Sequence, residues 1–176
     1  KSSLAARVAS RLSRHRTVVV FGRYDALTVF DRLAEALPAA ARRAFRQTRR
    51  QSVIDDPASL REALETLLED GAADPLLLII DDLARLLDLR PRTTAAATLL
   101  PGDARSALSA ILAAFAHARA AGSESFLLLT SRYRFTLPDA NGRDLAAALV
   151  GVPLQPLDAG DQRSEEHTSE LQSPCN

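Results

Sequence analysis

Two adjacent carboxylates, Asp81-Asp82, follow five consecutive apolar residues, Leu76-Leu77-Leu78-Ile79-Ile80. An apolar run of this length without alternation reads as a parallel strand covered on both faces. Carboxylates at its end must be solvated, paired or bound to a cation, because burying bare charge is costly. A hard cation such as magnesium, bridging phosphate oxygens, meets that demand. A second reading makes either aspartate the cap of a helix that begins at Leu83. Two other groups could share phosphate chemistry. Lys1-Ser2-Ser3 opens a helical pattern, whose amino terminus can face an anion. Lys1 is the only lysine in the chain, every other long cationic side chain being arginine. A compact ammonium inside a phosphate cradle is a role in which the two are not interchangeable. Thr130-Ser131-Arg132 closes the apolar run that begins at Phe126, and a guanidinium there can hold phosphate oxygens in a bidentate way.

The elements that would position these groups are legible as periodicity. Leu4, Ala5, Val8, Ala9 and Leu12 predict a helix over 2–14, capped by Ser2 or Ser3. Residues 17–21 read as a buried strand ended by Gly22, and Leu27, Phe30, Leu33, Ala34 and Leu37 as a helix that stops near Pro38. Residues 39–53, with Arg42, Arg43, Arg46, Arg49 and Arg50, read as basic and irregular or weakly helical, a solvated face or connector. Asp56-Pro57 starts a helix carrying Leu60, Leu64, Leu67 and Leu68 until Gly71. After the strand at 76–80, Pro91, Pro101 and Gly102 mark a looser stretch, and 103–121 is an alanine-rich helix ending at Gly122. A strand over 126–130, a short helix over 145–150 and a last short edge strand at Val152-Pro153-Leu154 complete the order. Helices alternating with buried strands predict an α/β protein with a largely parallel sheet, and in such sheets ligands bind outside the carboxyl ends of the strands.

Together these features resemble the active site of a P-loop ATPase. Lys1-Ser2 matches the end of the glycine-loop motif G-x-x-x-x-G-K-[ST], and 76–82 resembles a Walker B segment. Thr130-Ser131-Arg132 is similar to the sensor segment of the STAND signalling ATPases, including the NB-ARC group. Residues 152–158 resemble the strand and loop that lead such domains into a helical lid. The resemblance implies a three-layer P-loop NTPase fold of the ASCE or AAA-like type, spanning residues 1–162 as part of a nucleotide-binding domain. It implies ATP or ADP with magnesium as ligands, Lys1, Ser2 and Ser3 at the nucleotide, and Ser2 and Asp81 at the metal. Asp82 would orient or activate the attacking water, and Arg132 would read the terminal phosphate. The activity implied is a nucleotide-dependent switch with slow ATP hydrolysis, coupled to self-association or protein partners. The glycine loop and its strand, which in this family lies in the middle of the sheet beside the sensor strand, are not in the sequence. The chain by itself is therefore expected to bind ATP poorly and to lack turnover. Alternatives are an AAA+-like ATPase acting on nucleic acid and a nucleotide-independent α/β protein-interaction module.

Composition bounds the remaining classes. The 176 residues carry 22 Lys+Arg against 22 Asp+Glu, which gives no argument for a basic nucleic-acid surface, and no apolar run approaches the roughly 20 residues of a membrane span. One cysteine cannot form an internal disulfide, which fits a cytoplasmic setting. His15 and His117 lack the spacing of a zinc site, and no G-x-S-x-G is present. Gly22-Arg23-Tyr24-Asp25 follows a strand end and could approach a nucleotide or a partner, although a plain turn is the simpler reading. The polar string Arg163 to Ser173 resembles a sequencing-library adapter translated in frame, so 163–176 is expected to be a non-native tail.

Overall fold

A computed structural model describes residues 2–69, 74–88, 97–99 and 102–154. Lys1, the stop at Gly71, the prolines at 91 and 101, and everything beyond Leu154 lie outside the described residues. The chain forms an α/β fold around a small parallel sheet. Its strands are β1 (Arg16–Val20), β2 (Leu76–Ile80) and β5 (Phe126–Leu129), in the order β1-β2-β5. The central strand is therefore the unbroken apolar run, and all five of its residues are buried. Two further short strands, β3 (Leu87–Asp88) and β4 (Ala97–Leu99), pair antiparallel, and β4 pairs in parallel with β6 (Phe135–Thr136). These two- and three-residue segments are too short to leave a periodic signal in sequence.

Helices cover both faces of the main sheet. On one side Leu76, Leu78 and Ile80 join Val18 and Val20 in a large cluster with α2 (Ala26–Glu35), α3 (Ala39–Asp55), α4 (Leu60–Glu69) and α5 (Asp103–Ala120). On the other, Leu77 and Ile79 pack with Ala5, Ala9 and Leu12 from α1 (Ser2–Arg11) and the residue after it. The alternation of a strand explains the division, since successive side chains leave opposite faces. Among the described residues a single helix covers that second face only in part, and Val19 on the edge strand and Phe21 just past it remain exposed. Asp25 caps α2 by accepting from the Thr28 amide at 2.9 Å, and Asp56 accepts from Ala58 at 2.9 Å ahead of α4. Among the described residues no helix is long and apolar enough to cross a membrane.

Two readings of the sequence are corrected. Residues 39–55 form a regular helix of 17 residues rather than a weak connector. Alanine, arginine and glutamine are strong helix formers, and buried Phe45 and Val53 anchor this one. The Phe45 ring stacks on Phe30 at 4.7 Å. Its arginines are largely committed within the protein: Arg42 donates to the carbonyls of Glu35 and Leu37, Arg46 and Arg50 face Asp31, and Arg49 meets Glu62 at 2.7 Å. The second correction concerns Val152-Pro153-Leu154, which is exposed and forms no strand. Pro153 has no amide hydrogen to give a ladder, and no described strand lies beside the segment to receive it. The segment 145–148 is a short 3₁₀ turn where a helix to 150 is expected.

Candidate functional site

The carboxyl end of β2 is held by both neighbouring strands. The Asp81 amide donates to the Val20 carbonyl at 3.0 Å, while Thr130 and Leu83 continue the pairing on the β5 side through Ile80 and Thr130 carbonyls. The ladder steps from Asp81 to Leu83 and leaves Asp82 out as an extra residue. Asp82 takes the left-handed conformation, φ 57° and ψ 43°, and is the one non-glycine residue with positive φ among those described. A side chain in that region is unfavourable, although aspartate tolerates it better than most. Its amide, turned out of the ladder, donates instead to the Thr130 hydroxyl at 2.9 Å and lies 3.1 Å from Oδ1 of Asp81.

Asp81 gathers hydroxyls from opposite ends of the sequence. Oδ2 accepts from the Ser2 hydroxyl at 2.6 Å, across 79 positions, and Oδ1 accepts from the Thr130 hydroxyl at 2.5 Å. Burial pushes the carboxyl pKa up, but the bonds from Ser2, Thr130 and the Asp82 amide outweigh it and hold Asp81 below the usual carboxylate range. Asp81 is therefore an anion that accepts from hard oxygen donors, beside the first turn of α1. Ser2 belongs to the site because α1 lies on the face of β2 that carries Leu77 and Ile79.

Asp82 has different partners. Its Oδ2 accepts from Nε of Arg85 at 2.6 Å, and the Arg85 guanidinium sits 5.0 Å from the centre of the Phe21 ring. Asp82 stands at the capping position before Leu83, as the capping reading expects. A 3₁₀ turn does begin at Leu83, yet the Asp82 side chain makes no capping hydrogen bond to it. Beneath the turn, buried Tyr24 donates to the Asp81 carbonyl at 2.7 Å and lies 3.3 Å from that of Asp82. Burial raises the Tyr24 pKa, with the nearby Asp82 and Asp81 charges acting in the same direction, so this hydroxyl stays a donor.

The structure thus brings together Ser2, Asp81 and, through the backbone, Asp82. Arg132 follows the same strand end but is exposed and, among the described residues, makes no ion pair, while Ser3 is exposed and has no side-chain hydrogen bond to a described residue. Lys1 lies outside the described residues. Sequence reasoning missed Thr130, Arg85 and Tyr24 as members of the site. Thr130 carried a usable signal, a hydroxyl at the end of an apolar strand that must neighbour β2. Tyr24 carried another, an aromatic ring with a polar tip just past a strand end. Among the described residues there is no group of three or more His, Cys, Asp or Glu able to hold a metal ion. The Ser2–Asp81 pair fits magnesium in a narrower sense, because that ion uses one or two protein oxygens and takes the rest from water and phosphates. Compared with known families, curated proteins and solved structures, the chain matches none.

Proposed function

We propose that the carboxyl end of β2 is a magnesium-dependent nucleotide-phosphate site, the core of a STAND-type ATPase switch. One observation carries the reading: the hydroxyl that opens α1 reaches the first carboxylate after the central apolar strand at 2.6 Å. A serine at a helix amino terminus bonded to an aspartate at a strand end is the donor pair that a metal bridging nucleotide phosphates would use. Such an ion neutralises phosphate charge. Ser2 and Asp81 would hold it, Lys1 and the first turn of α1, with Ser3, would face the phosphates, Asp82 would orient the attacking water, and Arg132 would swing to the terminal phosphate. Arg132 is exposed and forms no ion pair with another described residue, which suits that role. The strand order also supports the reading, since β5 has an open edge among the described residues on the side where the resemblance expects the glycine-loop strand. The arginines of α3 give little support to a nucleic-acid channel, because most face Asp31, Glu62 or backbone carbonyls.

The test is binding of ATP with and without magnesium by the chain joined to whatever residues its gene encodes ahead of Lys1. Ser2→Ala and Asp81→Asn are expected to weaken magnesium-dependent binding by roughly tenfold or more, the scale of a lost charge-assisted contact. Asp82→Ala is expected to bind and not turn over. Binding that ignores magnesium and both substitutions would return Asp81-Asp82 to a structural role in an interaction module.

A further inference from the structure

The loop leaving β1, Gly22-Arg23-Tyr24-Asp25, reads from sequence as a plain turn, yet it reaches the aspartate pair from below. Tyr24 is 6% exposed, with its ring in the main core cluster and its hydroxyl under the Asp81–Asp82 peptide. The carbonyls it meets belong to the two residues whose peptide planes set the left-handed step at Asp82. That step sends the Asp82 amide to Thr130 and leaves its carboxylate to Arg85. Phenylalanine would fill the same space, so the hydroxyl is explained by the peptide it touches and not by packing.

We propose that Tyr24 is the positioning residue of the aspartate turn: its hydroxyl fixes the left-handed peptide at Asp82, and so sets where the two carboxylates stand. In its functional part this rests on the nucleotide reading, in which Asp82 must face the attacking water while Asp81 holds the metal. Ser2 reaches the first carboxylate from α1, and other described residues hold the turn itself. Val20 and Tyr24 grip it from β1 and its loop, Thr130 from β5, and Arg85 with Phe21 holds the second carboxylate. Of these only Tyr24 bonds a side chain to the peptide itself from the β1 side. The loop is held in place in turn by Asp25, whose carboxylate caps α2 through both the amide and the hydroxyl of Thr28.

The experiment is residue-resolved amide hydrogen exchange on the full chain, comparing wild type, Y24F, D82G and the double variant. In Y24F the amide at position 82 is expected to exchange about tenfold faster, while the amides of Leu78 and Ile80 in the central strand keep their rates. Glycine adopts the left-handed region freely, so in the D82G background Y24F is expected to change the amide at 82 by less than about twofold. With ATP and magnesium, in the chain extended by whatever residues its gene encodes ahead of Lys1, Y24F is expected to lower kcat about five- to tenfold at nearly unchanged KM. An unchanged rate at position 82, or a uniform acceleration that includes Leu78 and Ile80, would overturn the proposal and leave Tyr24 a packing residue. The exchange result needs no nucleotide. If Ser2→Ala and Asp81→Asn leave nucleotide binding untouched, the nucleotide reading falls while the exchange data still decide the geometry.

Discussion

Thr130→Val removes one hydroxyl and nearly preserves shape, so it measures what that hydroxyl contributes to the aspartate turn. Two bonds are lost: the donation to Oδ1 of Asp81 at 2.5 Å and the acceptance from the Asp82 amide at 2.9 Å. A bond to a charged partner contributes about 1.5–3 kcal/mol and a neutral one about 0.5–1.5 kcal/mol. Both groups are partly exposed and water takes over some of what is lost, which brings the expected cost to about 1.5–2 kcal/mol. At roughly 2–4 °C per kcal/mol for a chain of this size, the melting temperature should fall by about 3–8 °C near pH 7. The pH dependence is the sharper test. The Asp81 pKa is lowered in the folded state against the opposing push of burial, by bonds from Ser2, Thr130 and the Asp82 amide. A lowered carboxyl contributes stability that is fully present above the unfolded value, about 3.9, and is lost as pH falls through the folded value. The variant loses one of the causes, so the gap between it and wild type should be widest near neutrality and narrow below about pH 4. Thermal melts followed by circular dichroism across that range give the answer. A gap that stays constant with pH, or a variant as stable as wild type, would refute the assignment of the Thr130 hydroxyl to the Asp81 carboxylate.

Leu78→Ala cuts the middle of the central strand at a side chain with 0% exposure and is expected to cost about 3–4 kcal/mol, read as a fall in the urea midpoint at unchanged slope. Asp25→Ala removes the cap of α2 and should cost about 1 kcal/mol near neutrality. Burial raises the Asp25 pKa, but the two Thr28 bonds and the Arg23 charge lower it further, so this cost too should shrink as pH falls below about 4, measured by the same melts.

How much of this was legible in the sequence follows from how local each signal is. The strand at 76–80 announces itself because five apolar residues without alternation fit a site covered on both faces, and both faces are covered. The carboxylates at its end followed from the same run, whereas Ser2 was singled out only through its resemblance to the end of a glycine-loop motif. The helix at 39–55 was harder. Its apolar stripe is thin, with only Phe45 and Val53 buried, and its arginines look like solvent chemistry until Asp31 and Glu62 are placed opposite them. Thr130, Tyr24 and Arg85 join the site through contacts at 49, 57 and 3 positions. The first two depend on which strands lie beside β2, and the third on a left-handed residue that no pattern of residue types announces.

That left-handed residue also settles how two carboxylates can be neighbours in the chain at one strand end. Placed side by side with equivalent surroundings, like charges raise each other's pKa and one tends to take a proton. Here the turn hands them to different partners. Asp81 stays in line with β2 and receives hydroxyls from α1 and β5, while Asp82 leaves the ladder and its carboxylate takes the Arg85 guanidinium. Each negative charge then has its own donors. The same separation is what a metal-holding carboxylate and a water-orienting carboxylate would require. Replacing Arg85 should therefore disturb Asp82 and spare the Ser2–Asp81 bond, whereas loss of Ser2 should do the reverse.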